Sequence, residues 1–155
     1  MRIMIVNNCV PFVYGGAEFL ADSLRDKLIE HGHQAILVKV PFTWDPPQKI
    51  LENILLNRLI KLNQHSVDID PDRVIALKFP VYYLEHPNKV LWLLHQFRQV
   101  YDLWGTPYGL PQTPENAAIR EAIIQTDNRY LREAKKIYTN SRVVSGRLKR
   151  FNDID

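Results

Sequence analysis

Residues 2–18 read RIMIVNNCVPFVYGGAE, and this stretch decides the fold. An apolar strand from Ile3 to Val6 passes through a short loop into a helix that begins at about Gly16 and stops at Gly32. Bare backbone N–H groups and the positive end of a helix dipole then lie at the carboxyl end of a buried strand. This arrangement is typical of sites that hold phosphates and other polar ligands.

The same alternation continues along the chain. Apolar runs rich in Val and Ile predict strands at 2–7, 34–40, 73–78, 89–95 and 136–139. Apolar residues at helical spacing predict helices at 16–31, 46–63, 114–134 and 141–151, with Ser141 as an N-cap. We therefore predict an α/β fold: a doubly wound, mostly parallel sheet with helices on both faces, as in Rossmann-like domains.

The helix predicted at 46–63 has one broad apolar face. We expect this face to pack in the core, with a helix lying at a membrane interface as the alternative, because Lys49, Arg58 and Lys61 suit such a surface. The face consists of Ile50, Leu51, Ile54, Leu55, Leu59 and Leu62.

Composition limits the class of protein. The 155 residues, 46% of them apolar, fit a single domain spanning 1–155. No run approaches the roughly 18 to 20 apolar residues that cross a bilayer, and the start lacks the features of a secretion signal. The single cysteine, Cys9, excludes an internal disulfide and fits a reducing cytosol, so we expect a cytoplasmic protein. We interpret Cys9 as a small buried residue and not as a nucleophile.

The net charge of +3 is unevenly distributed. Residues 129–150 contain eight basic residues and one acid, a net charge of +7, which leaves −4 for the rest of the chain. A solvated face of two helices explains this excess, and peripheral contact with the inner face of a membrane is the alternative. Because no nucleic-acid-binding motif accompanies the charge, we expect no nucleic acid partner.

The candidate site residues follow the first and fourth strands. Gly15 and Gly16 open the first helix, Glu18 lies in its first turn, and His95 ends the fourth apolar run. The long loop at 96–113 is dense in aromatic and turn residues, which indicates a use in binding. Its candidate ligand-binding residues are Arg98, Tyr101, Asp102, Trp104 and Tyr108.

Several kinds of site are not predicted. The Gly-x-Gly-x-x-Gly and P-loop fingerprints are missing, which argues against a nicotinamide dinucleotide and against a P-loop nucleotide hydrolase. His31 and His33 straddle a helix stop and lack further ligands, so we predict no metal and no cofactor.

Together these motifs resemble the N-terminal half of GT-B glycosyltransferases, in particular the retaining family 4. The resemblance rests on Tyr14-Gly-Gly-Ala-Glu18, on His31-Gly-His-Gln-Ala35, on the strand ending in His95, and on Ile137-Tyr-Thr-Asn-Ser141 before a basic helix. It covers essentially the whole chain.

The resemblance implies an acceptor-side domain of a glycosyltransferase. In such enzymes the glycine loop, here Gly15 and Gly16, lies against the donor diphosphate and the acceptor, and the strand-end histidine, here His95, contacts the transferred sugar. Transfer proceeds with retention and usually without a metal. Asp102 and Glu18 are the nearby carboxylates that could act as a base, and Tyr101, Trp104 and Tyr108 the aromatics that could stack on an acceptor.

The same resemblance places the nucleotide in a C-terminal domain with a Glu-x7-Glu motif. Glutamates here stand at 18, 30, 52, 85, 115, 121 and 133, so no two are eight apart, and no second βαβ series follows. We therefore expect the donor-binding domain to lie outside this sequence and this domain to be inactive by itself. The expected partners are a nucleotide-diphosphate sugar and a saccharide or lipid-linked acceptor. The alternatives are a non-catalytic α/β ligand-binding module and a basic surface-binding module.

Overall fold

A computed structural model describes residues 1–62 and 70–155. Strands and helices alternate in it, and three short 3₁₀ turns lie at Val81–Tyr83, Arg98–Val100 and Leu131–Glu133. The elements are β1 Arg2–Cys9, α1 Gly16–Glu30, β2 Gln34–Pro41, α2 Lys49–Leu59, β3 Arg73–Ala76, β4 Lys89–Leu93, α3 Pro114–Tyr130, β5 Lys136–Thr139 and α4 Arg142–Asn152.

The strands of the described chain form one five-stranded sheet in the order β2-β1-β3-β4-β5. Every pairing is parallel, and β1 pairs with β2 along its full length, from Arg2 opposite Gln34 to Cys9 opposite Pro41. The predicted α/β fold with a mostly parallel sheet is confirmed. All four helices of the described residues pack on this sheet, which has the doubly wound, Rossmann-like arrangement.

The two faces of the sheet carry separate apolar clusters. On one face Ala17, Leu20, Ala21, Leu24 and Leu28 of α1 pack with Ile5 and Leu37. On the other face α2, α3 and α4 bury a larger core against β1, β3 and β4, to which they contribute Ile50, Ile119, Ile123, Val144 and Leu148. Helices therefore cover both faces, as the alternation of strands and helices predicts.

Element ends differ from the prediction by a few residues. β3 ends at Ala76 and β4 at Leu93, both earlier than predicted, although Leu94 N still donates to Leu77 O at 2.8 Å. α3 ends at Tyr130 and continues as a 3₁₀ turn, and Ser141 caps α4 as predicted, accepting from Val144 N. The helix predicted at 46–63 begins only at Lys49 and ends at Leu59; its predicted last residue lies outside the described residues.

The prediction that the broad apolar face of 46–63 packs in the core is wrong for half of its residues. Ile50 is fully buried and Ile54 and Leu62 pack against the core, but Leu51, Leu55 and Leu59 are exposed. The reason is the rotation of α2, which buries Asn53 and Asn57 beside Ile50. No helix in the described part of the chain has the length and apolarity that crossing a membrane requires.

Candidate functional site

The site lies at the carboxyl edge of the sheet, between β1 and β3. The chain leaves β1 toward β2 on one side and later enters β3 on the other, so the connections diverge and open a crevice at this point. A cleft of about 170 Å³ lies here. Its walls come from the ends of four neighbouring strands and the segments that follow them, and consist of Asn8, Val10, Phe42, Trp44, Lys78, Phe79, His95, Phe97 and Gln99.

The N-terminus of α1 reaches this cleft through an ion pair. Glu18 Oε2 accepts from Gly15 N at 2.9 Å, and Glu18 Oε1 lies 3.2 Å from Lys78 Nζ. Burial alone would raise the pKa of Glu18, but the Gly15 N–H and Lys78 together hold it below its ordinary value, so the carboxylate is ionised. The ion pair thus fixes the glycine loop against the strand-end lysine.

Gly15 and Gly16 lie where the sequence predicts them, at the start of α1. Gly15 has an extended backbone (φ −139°), so its conformation does not require glycine. A Cβ added at Gly16 would meet no atom within 4 Å. Gly16 therefore leaves open space at the start of α1, where the first N–H groups have no intrahelical acceptor.

His95 lies at the inner end of the cleft and is a mostly buried, neutral imidazole. Burial lowers its pKa below the ordinary 6.5, and the nearby cations Lys78, Arg98 and Arg147 lower it further, against the opposing effect of a bond to the Gln96 carbonyl. His95 Nδ1 lies 2.7 Å from Gln96 O. Because a carbonyl can only accept, Nδ1 carries the proton and Nε2 is left as a hydrogen-bond acceptor.

Aromatic side chains form the outer wall. Trp44, 41% exposed, lies beyond the end of β2 with its ring 5.7 Å from that of Phe42. Phe42 in turn packs edge-on against Phe79 and Phe97. A half-exposed indole on a rigid aromatic base offers a flat surface on which the apolar face of a sugar ring can stack.

Two asparagines line the end of β1. The Asn8 side chain is buried and donates to the Phe79 carbonyl, which ties β1 to the segment after β3. Asn7 is fully buried, and neither of its side-chain amide atoms has a partner among the described residues. Of these two side chains, Asn8 is the one that lines the cleft, near the end of β1.

The loop at 96–113 supplies less of the cleft than predicted. Of the predicted site residues, only His95 is in the cleft wall. The prediction that Tyr101 stacks on an acceptor is corrected by the structure. Tyr101 is 4% exposed and its hydroxyl donates to the buried Asp127 at 2.5 Å, so its ring belongs to the core.

Other residues of this loop make contacts within the domain. Asp102 forms ion pairs with Arg98 at 2.9 Å and Arg147 at 3.0 Å, which hold its pKa below the ordinary value although burial opposes them. Trp104 lies under the Arg120 guanidinium. Tyr108 is 78% exposed and is the one predicted aromatic of this loop that presents most of its ring to solvent.

A larger cleft, of about 930 Å³, lies at the opposite edge of the sheet. Its walls include Leu62 and Asp70, which flank the seven residues outside the described ranges, and His86 before β4. In open parallel sheets ligands bind at the carboxyl ends of the strands. The smaller cleft, which lies at those ends, is therefore the candidate site.

The described residues contain no group of three or more His, Cys, Asp or Glu side chains placed to hold a metal ion. Lys78 and Trp44 are the functional candidates that sequence reasoning missed. Both follow strands at the carboxyl edge, so the rule that selected His95 would also have selected them.

Searches with the chain against protein-family models, curated proteins and solved structures found no match. The fold and the cleft define a class: an α/β domain of Rossmann-like architecture with a cleft at its topological switch point.

Proposed function

We propose that this domain is the acceptor-side half of a glycosyltransferase, which moves a sugar from a nucleotide-diphosphate-sugar donor to a saccharide or lipid-linked acceptor with retention. The observation that carries the proposal is a cleft wall that contains the neutral His95, the aromatic Trp44 and Lys78, whose ion pair with Glu18 joins the cleft to the N-terminus of α1. Each supplies something that sugar transfer requires.

Transfer breaks the bond between the sugar's anomeric carbon and a diphosphate oxygen and forms a bond from that carbon to an acceptor hydroxyl oxygen, whose proton passes to the departing diphosphate. The departing diphosphate gains negative charge, which donors fixed in advance stabilise. The N–H groups of Gly16 and Ala17 at the start of α1 are such donors, because the Gly15 N–H and Lys78 are bound to the Glu18 carboxylate.

His95 and Trp44 suit the sugar. With Nδ1 committed to Gln96 O, Nε2 of His95 can accept a hydrogen bond from a sugar hydroxyl and orient the ring. Glu18 and Asp102 are both held in ion pairs, so neither is a free base for the acceptor hydroxyl. The ion pairs of Glu18 and Asp102 instead support the shape of the proposed site.

The non-catalytic ligand-binding module is a second candidate, because all walls of the cleft come from this one domain. It predicts tight binding of a small ligand without any transfer. The basic surface-binding module has less support. Several basic residues of 129–150 bind within the domain: Arg147 pairs with Asp102, Lys149 with Asp153 and Asp155, and Arg132 donates to the Asn152 carbonyl.

Titration of the ¹⁵N-labelled domain with mono- and disaccharides, observed by two-dimensional NMR, tests the proposal. We expect sugars to shift the Trp44 indole and the Gly16 and His95 amides, and nucleotide sugars to bind weakly. Trp44→Ala should remove the shifts, whereas Trp92→Phe, on a different part of the sheet, should not. Tight binding of a nucleotide sugar to this domain, or no response at these three residues, would contradict the proposal.

A further inference from the structure

A buried chain of hydrogen bonds runs from α4 to the backbone that holds His95. Gln96, the next residue, is fully buried, and its side-chain Nε2 donates to Asn152 Oδ1 at 2.7 Å. Asn152 is the last residue of α4 and is 3% exposed. The neighbour of His95 is therefore bound, inside the core, to a helix that lies fifty-six residues further along the chain.

Asp127 determines the direction of each bond in this chain. Because a carboxylate only accepts, Tyr101 donates its hydroxyl proton to Asp127 Oδ2 at 2.5 Å. The Tyr101 oxygen then accepts from Asn152 Nδ2, which lies 3.3 Å away. With Nδ2 directed to Tyr101, Asn152 presents Oδ1 to the Gln96 donor. The Asn152 amide thus has one orientation, and it is the orientation that binds Gln96.

The Gln96 backbone lies outside regular structure and depends on this bond. Gln96 comes after the end of β4 at Leu93 and before the 3₁₀ turn that begins at Arg98. Within the part of the chain that the structure describes, neither its N–H nor its carbonyl bonds to another main-chain group, and its Oε1 has no partner. Its carbonyl accepts from His95 Nδ1 at 2.7 Å. The bond to Asn152 is therefore the one that ties Gln96 to a regular element.

We propose that Asn152 is a positioning residue for His95. By binding the Gln96 side chain, Asn152 holds the Gln96 carbonyl against His95 Nδ1, which keeps the ring proton on Nδ1 and leaves Nε2 as the acceptor. A neutral imidazole without this carbonyl carries its proton on either nitrogen, and the Nε2–H form donates where the site needs an acceptor. The effect on the tautomer concerns this domain alone, whereas its consequence for sugar binding rests on the proposed function.

Ring ¹⁵N NMR of the domain tests the effect of Asn152 on the tautomer. We expect the neutral His95 of the unmodified domain to carry its proton on Nδ1. Asn152→Leu and Gln96→Met each remove the bond between these two side chains, and each should produce a mixture that contains the Nε2–H form. Asn128→Ala is the matched control, because Asn128 Oδ1 accepts from the same Asn152 amide at 2.9 Å but lies off the path to Gln96. This control should keep the single Nδ1–H form.

The double variant Asn152→Leu/Gln96→Met distinguishes positioning from general loosening of the core. If Asn152 acts through Gln96, the double variant should contain the same fraction of the Nε2–H form as each single variant. Additive effects would overturn the proposal. So would a single Nδ1–H tautomer in Gln96→Met, a variant that keeps the length of the side chain and serves if Asn152→Leu does not fold.

Binding of mono- and disaccharides to the same variants gives a second readout. We expect Asn152→Leu to weaken binding by about fivefold to tenfold, the effect of one lost hydrogen bond, and Asn128→Ala to leave it unchanged. Weakened binding with an unaltered tautomer would overturn the positioning role. An altered tautomer with unaltered binding would support the positioning role and contradict the contact between His95 and the sugar in the proposed function.

Discussion

His95 takes its chemistry from one hydrogen bond and from its burial. The carbonyl of Gln96 fixes the proton on Nδ1, and the surrounding cations together with burial keep the ring neutral. The side chain thus acts as an acceptor at Nε2 over a wide range of pH. The sequence placed this residue at the end of a strand but could not reveal its tautomer, which depends on a backbone carbonyl one residue away.

This geometry predicts the pH dependence of the proposed sugar binding. Burial holds the pKa of His95 below its ordinary value of 6.5, so the ring is neutral at neutral pH and becomes protonated in more acidic solution than an ordinary histidine does. We expect binding to be constant above pH 6.5 and to weaken as the pH falls further, as Nε2 becomes a donor. ¹⁵N NMR of the ring checks this, with His95→Gln for assignment. A ring that titrates above 6.5, or that carries its proton on Nε2 when neutral, would refute the prediction.

Replacement by alanine should have opposite effects on stability at two of the glycines. A Cβ at Gly109 would lie 2.2 Å from the backbone oxygen of Leu103, whereas one at Gly146, in α4, would meet nothing within 4 Å. We expect Gly109→Ala to lower the free energy of unfolding by about 2 kcal/mol through overpacking. Gly146→Ala should raise it by roughly 0.5–1 kcal/mol, because alanine favours the helix. Urea denaturation measures the free energy of unfolding of both variants. A change of the same sign in the two variants would contradict the described packing.

Lys78 and Tyr101 show what the sequence could and could not reveal about the site. Lys78 follows an apolar strand, so its place at the carboxyl edge is predictable from the pattern. Tyr101 is part of an aromatic-rich loop that looks exposed in sequence. Its burial depends on Asp127, twenty-six residues away in α3, and such a long-range partner leaves no local signal.

At the scale of elements, the N-terminus of α1 is joined to the end of β3 by Glu18 and Lys78. Their side chains are 10% and 13% exposed, so removing one partner leaves a largely buried charge without its partner. We expect Lys78→Met to lower the free energy of unfolding at pH 7 by on the order of 2 kcal/mol. Lys39→Met, whose ion pair with Asp22 is long at 4.0 Å and exposed, should change it by less than about 0.5 kcal/mol.

The sign of the pH dependence of this pair follows from Glu18. Its pKa is lowered in the folded domain, so the stabilisation by Lys78 is present at neutral pH and is lost as the pH falls through the folded value. The difference between wild type and Lys78→Met should therefore shrink in acid. A difference that stays constant from pH 7 to pH 3 would show that the lysine stabilises by packing alone.

A buried carboxylate joins α3 to the segments after β3 and β4. Asp127 accepts hydroxyl hydrogen bonds from Tyr82 at 2.8 Å, Tyr83 at 2.6 Å and Tyr101 at 2.5 Å. Asn152 extends the network to α4, because its side chain contacts Tyr101 and Gln96. This polar cluster connects the base of the cleft-forming loops to the helices behind them.

Burial raises the pKa of Asp127 to about 6, although the three hydroxyls oppose the shift. The folded domain thus holds a proton that the unfolded chain releases near pH 3.8, so this group lowers stability as the pH rises from about 4 to 6. Relative to the Asp127→Asn variant, the free energy of unfolding of the wild type should fall by on the order of 3 kcal/mol between pH 4 and pH 7. Asp26→Asn, on the surface of α1, is the control and should follow the wild type. The same dependence of the free energy of unfolding on pH in all three proteins would contradict the prediction.

Element identities were predictable from the sequence, and the rotation of α2 was not. Alternating apolar runs and helical spacing determine which segments pair and pack, and the predicted α/β sheet followed from them. In α2, however, periodicity favours burial of the leucines, whereas the structure buries Ile50 together with Asn53 and Asn57. Contacts with the 3₁₀ turn Val81–Tyr83 and with α3 accompany this rotation, and these depend on the assembled fold.

At the scale of the whole molecule, the candidate site belongs to one edge of the sheet. The carboxyl edge carries the cleft with His95, Lys78 and Trp44, whereas Leu51, Leu55, Leu56 and Leu59 are exposed on α2. The cleft is formed from the ends of four adjacent strands, so its geometry depends on the sheet as a unit.

Sugar transfer by this domain together with the proposed donor-binding domain tests the central claim most directly. We predict transfer from a nucleotide-diphosphate sugar with retained anomeric configuration. His95→Ala and Gly16→Val should each slow it by about a hundredfold, with melting temperatures unchanged, because they remove an orienting acceptor and fill the space before the helix donors. His31→Ala and Gly146→Val, at an exposed histidine and an equally open glycine, should leave the rate unchanged. Normal turnover by both site variants, or no transfer from any nucleotide sugar, would contradict the account.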